Sequence, residues 1–167
     1  DSFKNLDLEK NKFSKKVNMI FETDLELMFP NDYINSSNER LNLYTQLNKI
    51  IEIGALNSFK MGLIDRFGAL PIVVVELLKS VELRWLAAGL GFDKIILKKN
   101  ILLGHITNLN SENQKKNLDK LFQFSNSNMR SVSFSQKNSA DGDRFIVKII
   151  NIDSISKAIE VFTKIDS

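Results

Sequence analysis

The chain has 167 residues, of which 43% are hydrophobic and 26% charged, with a net charge of +3; these values fit one globular domain, or one domain built from two small lobes. It contains no cysteine, which excludes disulfides, thiolate metal sites and cysteine nucleophiles and fits a reducing, cytoplasmic setting. No apolar run is long enough to span a bilayer and no secretory signal opens the sequence, so no membrane partner is expected.

Residues 1–16 are polar, with isolated apolar positions at Phe3, Leu6, Leu8 and Phe13, and read as a linker or peripheral segment. The chain opens on Asp1 rather than Met, so a longer polypeptide is expected. Val17, Met19 and Phe21 alternate with Asn18 and Glu22 as in a half-buried strand, which Leu25 and Leu27 can extend. Pro30 ends it.

Ser36 and Glu39 have capping-box spacing, and the spacing predicts a helix with Leu41, Tyr44, Leu47 and Ile51 as its buried stripe. A second helix is predicted over 53–67, with Leu56, Phe59, Leu63 and Phe67 turned inward and Gly68 as its stop. Pro71 suits the first turn of a third helix. Val74, Leu77, Leu78, Val81, Trp85 and Ala88 make one apolar face of it, and Val75, Leu83, Leu86 and Leu90 fall largely elsewhere, so it is expected to be buried on most sides. Gly91 ends it. Residues 17–91 thus read as a strand plus a helical lobe.

Residues 92–167 read as a second, α+β lobe. Ile95–Leu97 and Ile101–Leu103 flank Lys98-Lys99-Asn100 and predict a hairpin. Ser111 and Gln114 repeat the capping-box spacing before a helix faced by Leu118, Leu121 and Phe122. Val132 and Phe134, then Phe145, Val147 and Ile149, alternate as strands around a turn at Asn138–Asp143. Asp153 is a candidate cap for a last helix carrying Ile155, Ala158, Ile159 and Phe162. The order is β-β-α-β-β-α, a mostly antiparallel sheet with helices on one face. The fold class is therefore α+β.

The sequence is poor in catalytic patterns. It has no phosphate-binding Gly-x-x-x-x-Gly-Lys-Ser/Thr loop, and Gly89-Leu90-Gly91 lies where a helix ends rather than begins. His105 is the sole histidine, and nothing around it completes a metal site or a triad. Asp141-Gly142-Asp143 lacks the remaining ligands of a calcium loop and reads as a turn. No catalytic, cofactor or metal residue is assigned. The basic residues are dispersed, in pairs such as Lys98-Lys99 and Lys115-Lys116, which suits solvated surface better than a nucleic-acid stripe. Phe134 and Phe145 on an open sheet would suit an alternative, a nucleic-acid-binding α+β module; their alternation also places them against the helices.

Two ordered stretches carry more information. The first is Phe29-Pro30-Asn31-Asp32-Tyr33-Ile34, followed by Glu39-Arg40-Leu41 and Leu43-Tyr44. The second is Leu63-Ile64-Asp65-Arg66-Phe67-Gly68, followed by Leu70-Pro71. Together they resemble the C-terminal domain of bacterial transcription-repair coupling factors, over about residues 22–91; the lobe after Phe92 is similar in layout alone.

The resemblance implies a regulatory protein-interaction domain rather than an enzyme. In that family the full protein is an ATP-driven DNA translocase that displaces stalled RNA polymerase and recruits nucleotide excision repair. Its motor lies upstream, and no cofactor is implied for this chain. The last domain docks on an excinuclease-B-like module of the same polypeptide and masks the surface that binds the excinuclease A subunit. The family's Glu-x-x-Asp-Arg docking residues map onto Gly62, Asp65 and Arg66. Helical geometry is compatible. With Leu56, Phe59, Leu63 and Phe67 turned inward, Asp65 points away from the core, position 62 lies one turn before it, and Arg66 sits on the flank. Gly62 departs from the family's Glu and removes one charge.

Overall fold

The computed structural model describes residues 19–140 and 142–167. The expected peripheral segment 1–16, Val17 and Asp141 lie outside the described residues. The described residues form two compact units, Glu26–Glu82 and the combination of residues 19–25 with Leu83–Ser167.

In the first unit, α1 (Ser37–Asn48) starts at Ser36, whose hydroxyl accepts from the Glu39 backbone N–H at 3.3 Å. Leu43 and Leu47 are its buried residues. Leu41, expected in that stripe, is 63% exposed, and Ile51 lies beyond the helix end. The inward row is set by Leu43 and Leu47, one turn apart, so Leu41 is carried to the opposite side. Helix α2 (Ile53–Phe67) stops at Gly68, whose φ of 90° suits glycine and whose N–H bonds the Ile64 carbonyl at 2.9 Å. Helix α3 (Ile72–Gly89) begins on Pro71, whose carbonyl accepts from Val74 and Val75, and from Leu83 onward it belongs to the second unit. Its residues between Val73 and Ala88 are all buried or half-buried, as its apolar circumference requires.

The second unit is built on a five-stranded sheet of order β1-β2-β3-β5-β4, from β1 (Ile20–Thr23), β2 (Lys94–Lys98), β3 (Ile101–Ile106), β4 (Val132–Ser139) and β5 (Gly142–Ile150). The β2–β3, β3–β5 and β4–β5 pairs are antiparallel. The pair β1–β2 is parallel. The leading strand therefore joins this sheet, whereas its place in the sequence groups it with the helices; a parallel neighbour requires a long crossover, and α1–α3 supply it. Leu25 and Leu27 do not extend the strand.

Lys99 and Asn100, with φ of 53° and 62°, form the two-residue turn between β2 and β3, in the primed geometry that matches strand twist. Helices α4 (Glu112–Ser127) and α5 (Ile155–Asp166) follow the hairpins. The cap of α5 is Ser154, not Asp153: its hydroxyl accepts from the Lys157 N–H at 3.0 Å.

Register places Ile95, Gly104, Val147 and Phe134 in one row and Leu97, Leu102, Ile149 and Val132 in the next. This face meets the helices. The Phe92 ring stacks on Phe162 of α5 with centroids 5.5 Å apart, and Gly104 lets it lie against β3, where a Cβ would collide with the ring. Phe122 of α4 is 41% exposed yet packs edge-on against Phe134 and Phe145 at 5.1 and 5.7 Å. Those two phenylalanines therefore face the helix layer, not open solvent.

Candidate docking site

Helix α2 presents two different sides. Leu56 and Leu63 are buried, and Phe59 and Phe67 half-buried, along the inward stripe. Asn57, Met61, Gly62, Asp65 and Arg66 are exposed. Asn57, Met61 and Asp65 follow at four-residue spacing, so they form one outward row. Met61 is 61% exposed. The family motif does not single it out, but it falls off the inward stripe one turn before Asp65, a signal already present in the sequence.

The three motif positions differ in what they do. Asp65 is exposed and makes no ion pair among the described residues. Gly62 is exposed, and a Cβ there would meet nothing within 4 Å, so packing does not require glycine. Arg66 is internally engaged: its guanidinium donates to the Glu39 carboxylate, and it lies 4.8 Å from the Phe67 ring centroid. Glu39 thus leaves the reciprocal half of the capping box and ties the start of α1 to the end of α2.

Much of the Phe29–Tyr44 motif holds this helix in place. Phe29 and Ile34 are fully buried. The Phe29 N–H donates to the Tyr44 hydroxyl at 2.7 Å, and the two rings lie 4.7 Å apart. The Tyr33 hydroxyl donates to the Gly68 carbonyl at 2.9 Å and reaches the Leu63 carbonyl at 3.3 Å. Burial pushes its phenol above the usual range. Arg40 donates to the carbonyls of Ile34 and Asn35 at 2.7 and 3.1 Å. These bonds satisfy backbone groups left over at the ends of α2 and before α1. Of these, the Tyr33 bonds tie the end of α2 to the segment before α1.

Elsewhere, no group of three or more His, Asp or Glu able to hold a metal is gathered among the described residues. His105 sits in β3, with neither ring nitrogen hydrogen-bonded among the described residues. Burial, then the nearby Arg144, Lys94 and Lys137, hold it below its ordinary value, with Asp93 opposing. It is a half-buried strand residue. A cavity of about 720 Å³ opens beside Gly91, Asp93 and Asn110. Its wall includes Gln114, whose amide donates to the carbonyls of Gly91 and Thr107 at 3.0 and 2.9 Å and so ties α4 to two loops. No helix among the described residues is long and apolar enough to cross a membrane.

Comparison with known proteins converges on one family. The TRCF domain profile matches residues 23–120. Transcription-repair-coupling factors of Haemophilus influenzae and Escherichia coli are each 36% identical over 78 residues, 44% of this chain and 7% of theirs. The chain thus spans a small part of the length of these relatives. A crystal structure of the C-terminal domain of a transcription-repair coupling factor superposes with a TM-score of 0.63, covering 89% of this chain and 91% of that one at 13% identity, and so shares the fold. With both sequence motifs inside the matched span, the chain belongs to the TRCF domain family, that of the transcription-repair coupling factors.

Proposed function

We propose that this chain is a regulatory, autoinhibitory docking domain, and that the outward row of α2 is its contact surface. Its partner is the excinuclease-B-like module of the same polypeptide, and docking masks the surface that takes the excinuclease A subunit. In this reading the chain does no chemistry of its own. The whole protein is a cytoplasmic, ATP-dependent DNA translocase that acts on stalled RNA polymerase and hands the lesion to excision repair.

One observation carries the proposal: Asp65 is exposed and without an ion pair among the described residues, on a helix whose other side is braced by Tyr33 and by the Arg66–Glu39 pair. Exposed Met61 beside it gives an apolar contact next to the charge, the mixture typical of interface anchors. Gly62 in place of the family's Glu moves the weight of docking onto Asp65 and Met61. Repression of this kind needs little affinity. A docked domain competes with the ligand of the site it covers, and tethering in one polypeptide gives a high effective concentration.

The test is calorimetric titration of the cognate excinuclease-B-like module with the chain and its Asp65→Ala variant. The variant is expected to fold normally and to bind about tenfold more weakly, close to 1.4 kcal/mol. Equal affinity removes Asp65 from the interface.

A further inference from the structure

The five-stranded sheet has a second face that the docking reading does not use. Strand alternation and register place Ile20, Lys94, His105, Ile146 and Ser135 in one row across it. Glu22, Ile96, Leu103, Lys148 and Ser133 form the next row. The aromatic rings of the strands are on the opposite face: Phe134 and Phe145 meet Phe122 of α4, and Phe21 is covered by the Arg84 guanidinium of α3 at 5.9 Å.

Three features of this face point the same way. It carries apolar residues across several strands: Ile20, on the edge strand β1, is 53% exposed, Ile96, Leu103 and Ile150 are half-buried, and Ile146 is buried. It is cationic around them, with Lys94, Lys98, Lys137, Arg144 and Lys148 against Glu22, which pairs with Lys94 at 3.3 Å and Lys98 at 3.8 Å. Glu22 leaves Lys137, Arg144 and Lys148 uncompensated by any ion pair among the described residues. Lys137 and Arg144 lie directly opposite each other across β4 and β5, a like-charge placement that costs stability. The crowding of cations acts on His105 as well, where Arg144, Lys94 and Lys137 add to burial in favouring the neutral ring.

We propose that this second sheet face binds an acidic amphipathic helix. A sheet buries an apolar face most simply against a helix layer, as the opposite face of this sheet does with α4 and α5. The apolar stripe of such a helix covers Ile20, Ile96 and Leu103. Its flanking carboxylates pair with Lys148, Arg144 and Lys137 and relieve their mutual repulsion. Single-stranded nucleic acid suits the charge but not the surface, because stacking platforms need several exposed aromatic rings; the phenylalanines of these strands are turned to the other side, and His105 on this face is half-buried.

The experiment is fluorescence anisotropy with the 167-residue chain and three labelled probes. One is a synthetic peptide with Leu at helical stripe spacing and Glu elsewhere. The second has the same composition scrambled so that no stripe forms. The third is oligothymidylate. The striped peptide is expected to bind most tightly. Arg144→Glu with Lys148→Glu should weaken it by roughly tenfold or more. Ile20→Ser, at an exposed position, should weaken it without disturbing the fold. Lys60→Glu, on the helical unit, should leave it unchanged. Equal binding of the scrambled peptide, tighter binding of oligothymidylate, or indifference to both the charge reversal and Ile20→Ser overturns the proposal. None of these outcomes bears on Asp65, so the two readings fail separately.

Discussion

The helical unit and the sheet unit are stabilised in different ways. In Glu26–Glu82, specific side chains bond backbone ends: Tyr33 to Gly68, Arg40 to Ile34, Tyr44 to Phe29. In the sheet unit such bonds also occur, as from Gln114 to Gly91 and Thr107, but apolar rows and ring packing fill the core, with Ile95, Leu97, Leu102, Val147 and Phe162 almost fully buried. The first kind of stability depends on residue identity, because a hydrogen bond needs its donor. The second depends on pattern and volume, which many residues can supply. That difference explains why the two recognisable motifs lie in the helical unit, while the sheet unit is legible as a pattern of alternating apolar positions.

The contrast can be broken most strongly at Phe29. Phe29→Ala removes a fully buried ring that contacts Tyr44 and Phe59, and is expected to cost about 3–5 kcal/mol in urea denaturation. Hydrogen exchange should then accelerate in residues 26–82 first; equal acceleration in the sheet would show that the units open together. A smaller effect is expected from Gly104→Val, which pushes against the Phe92 ring. It should cost about 1–3 kcal/mol, with lost protection concentrated in β2, β3 and β5. The smallest effect has the opposite sign. Gly62→Ala fills open space on an exposed helix and should stabilise the chain by up to about 1 kcal/mol, read as a higher urea midpoint. No gain would mean that the helix is already distorted at this position.

Much of the local structure was legible in residues alone. The bounds of α2 follow from its four-residue spacing and Gly68. The hairpin at Lys99-Asn100 follows from its position between two apolar runs. Ser36 and Ser111 cap the helices their spacing announces. What spacing could not reveal is where the fourth residue of each capping box would turn. Glu39 reaches Arg66, 27 positions away, and Gln114 reaches Gly91, 23 positions away. Neither partner has a local signal. At the candidate site, the exposure of Asp65 was legible from the helical stripe, whereas the engagement of Arg66 was not, because it depends on a residue of another helix.

The sequence by itself determined the helices, the turns and the α+β class, because period, caps and positive-φ residues act over a few positions of chain. Only the tertiary structure decided that β1 pairs with β2 in parallel, that Leu43 rather than Leu41 faces inward, and that the sheet keeps a cationic, half-apolar second face. These are choices among neighbours distant in sequence, and they are settled by the burial that each packing arrangement allows.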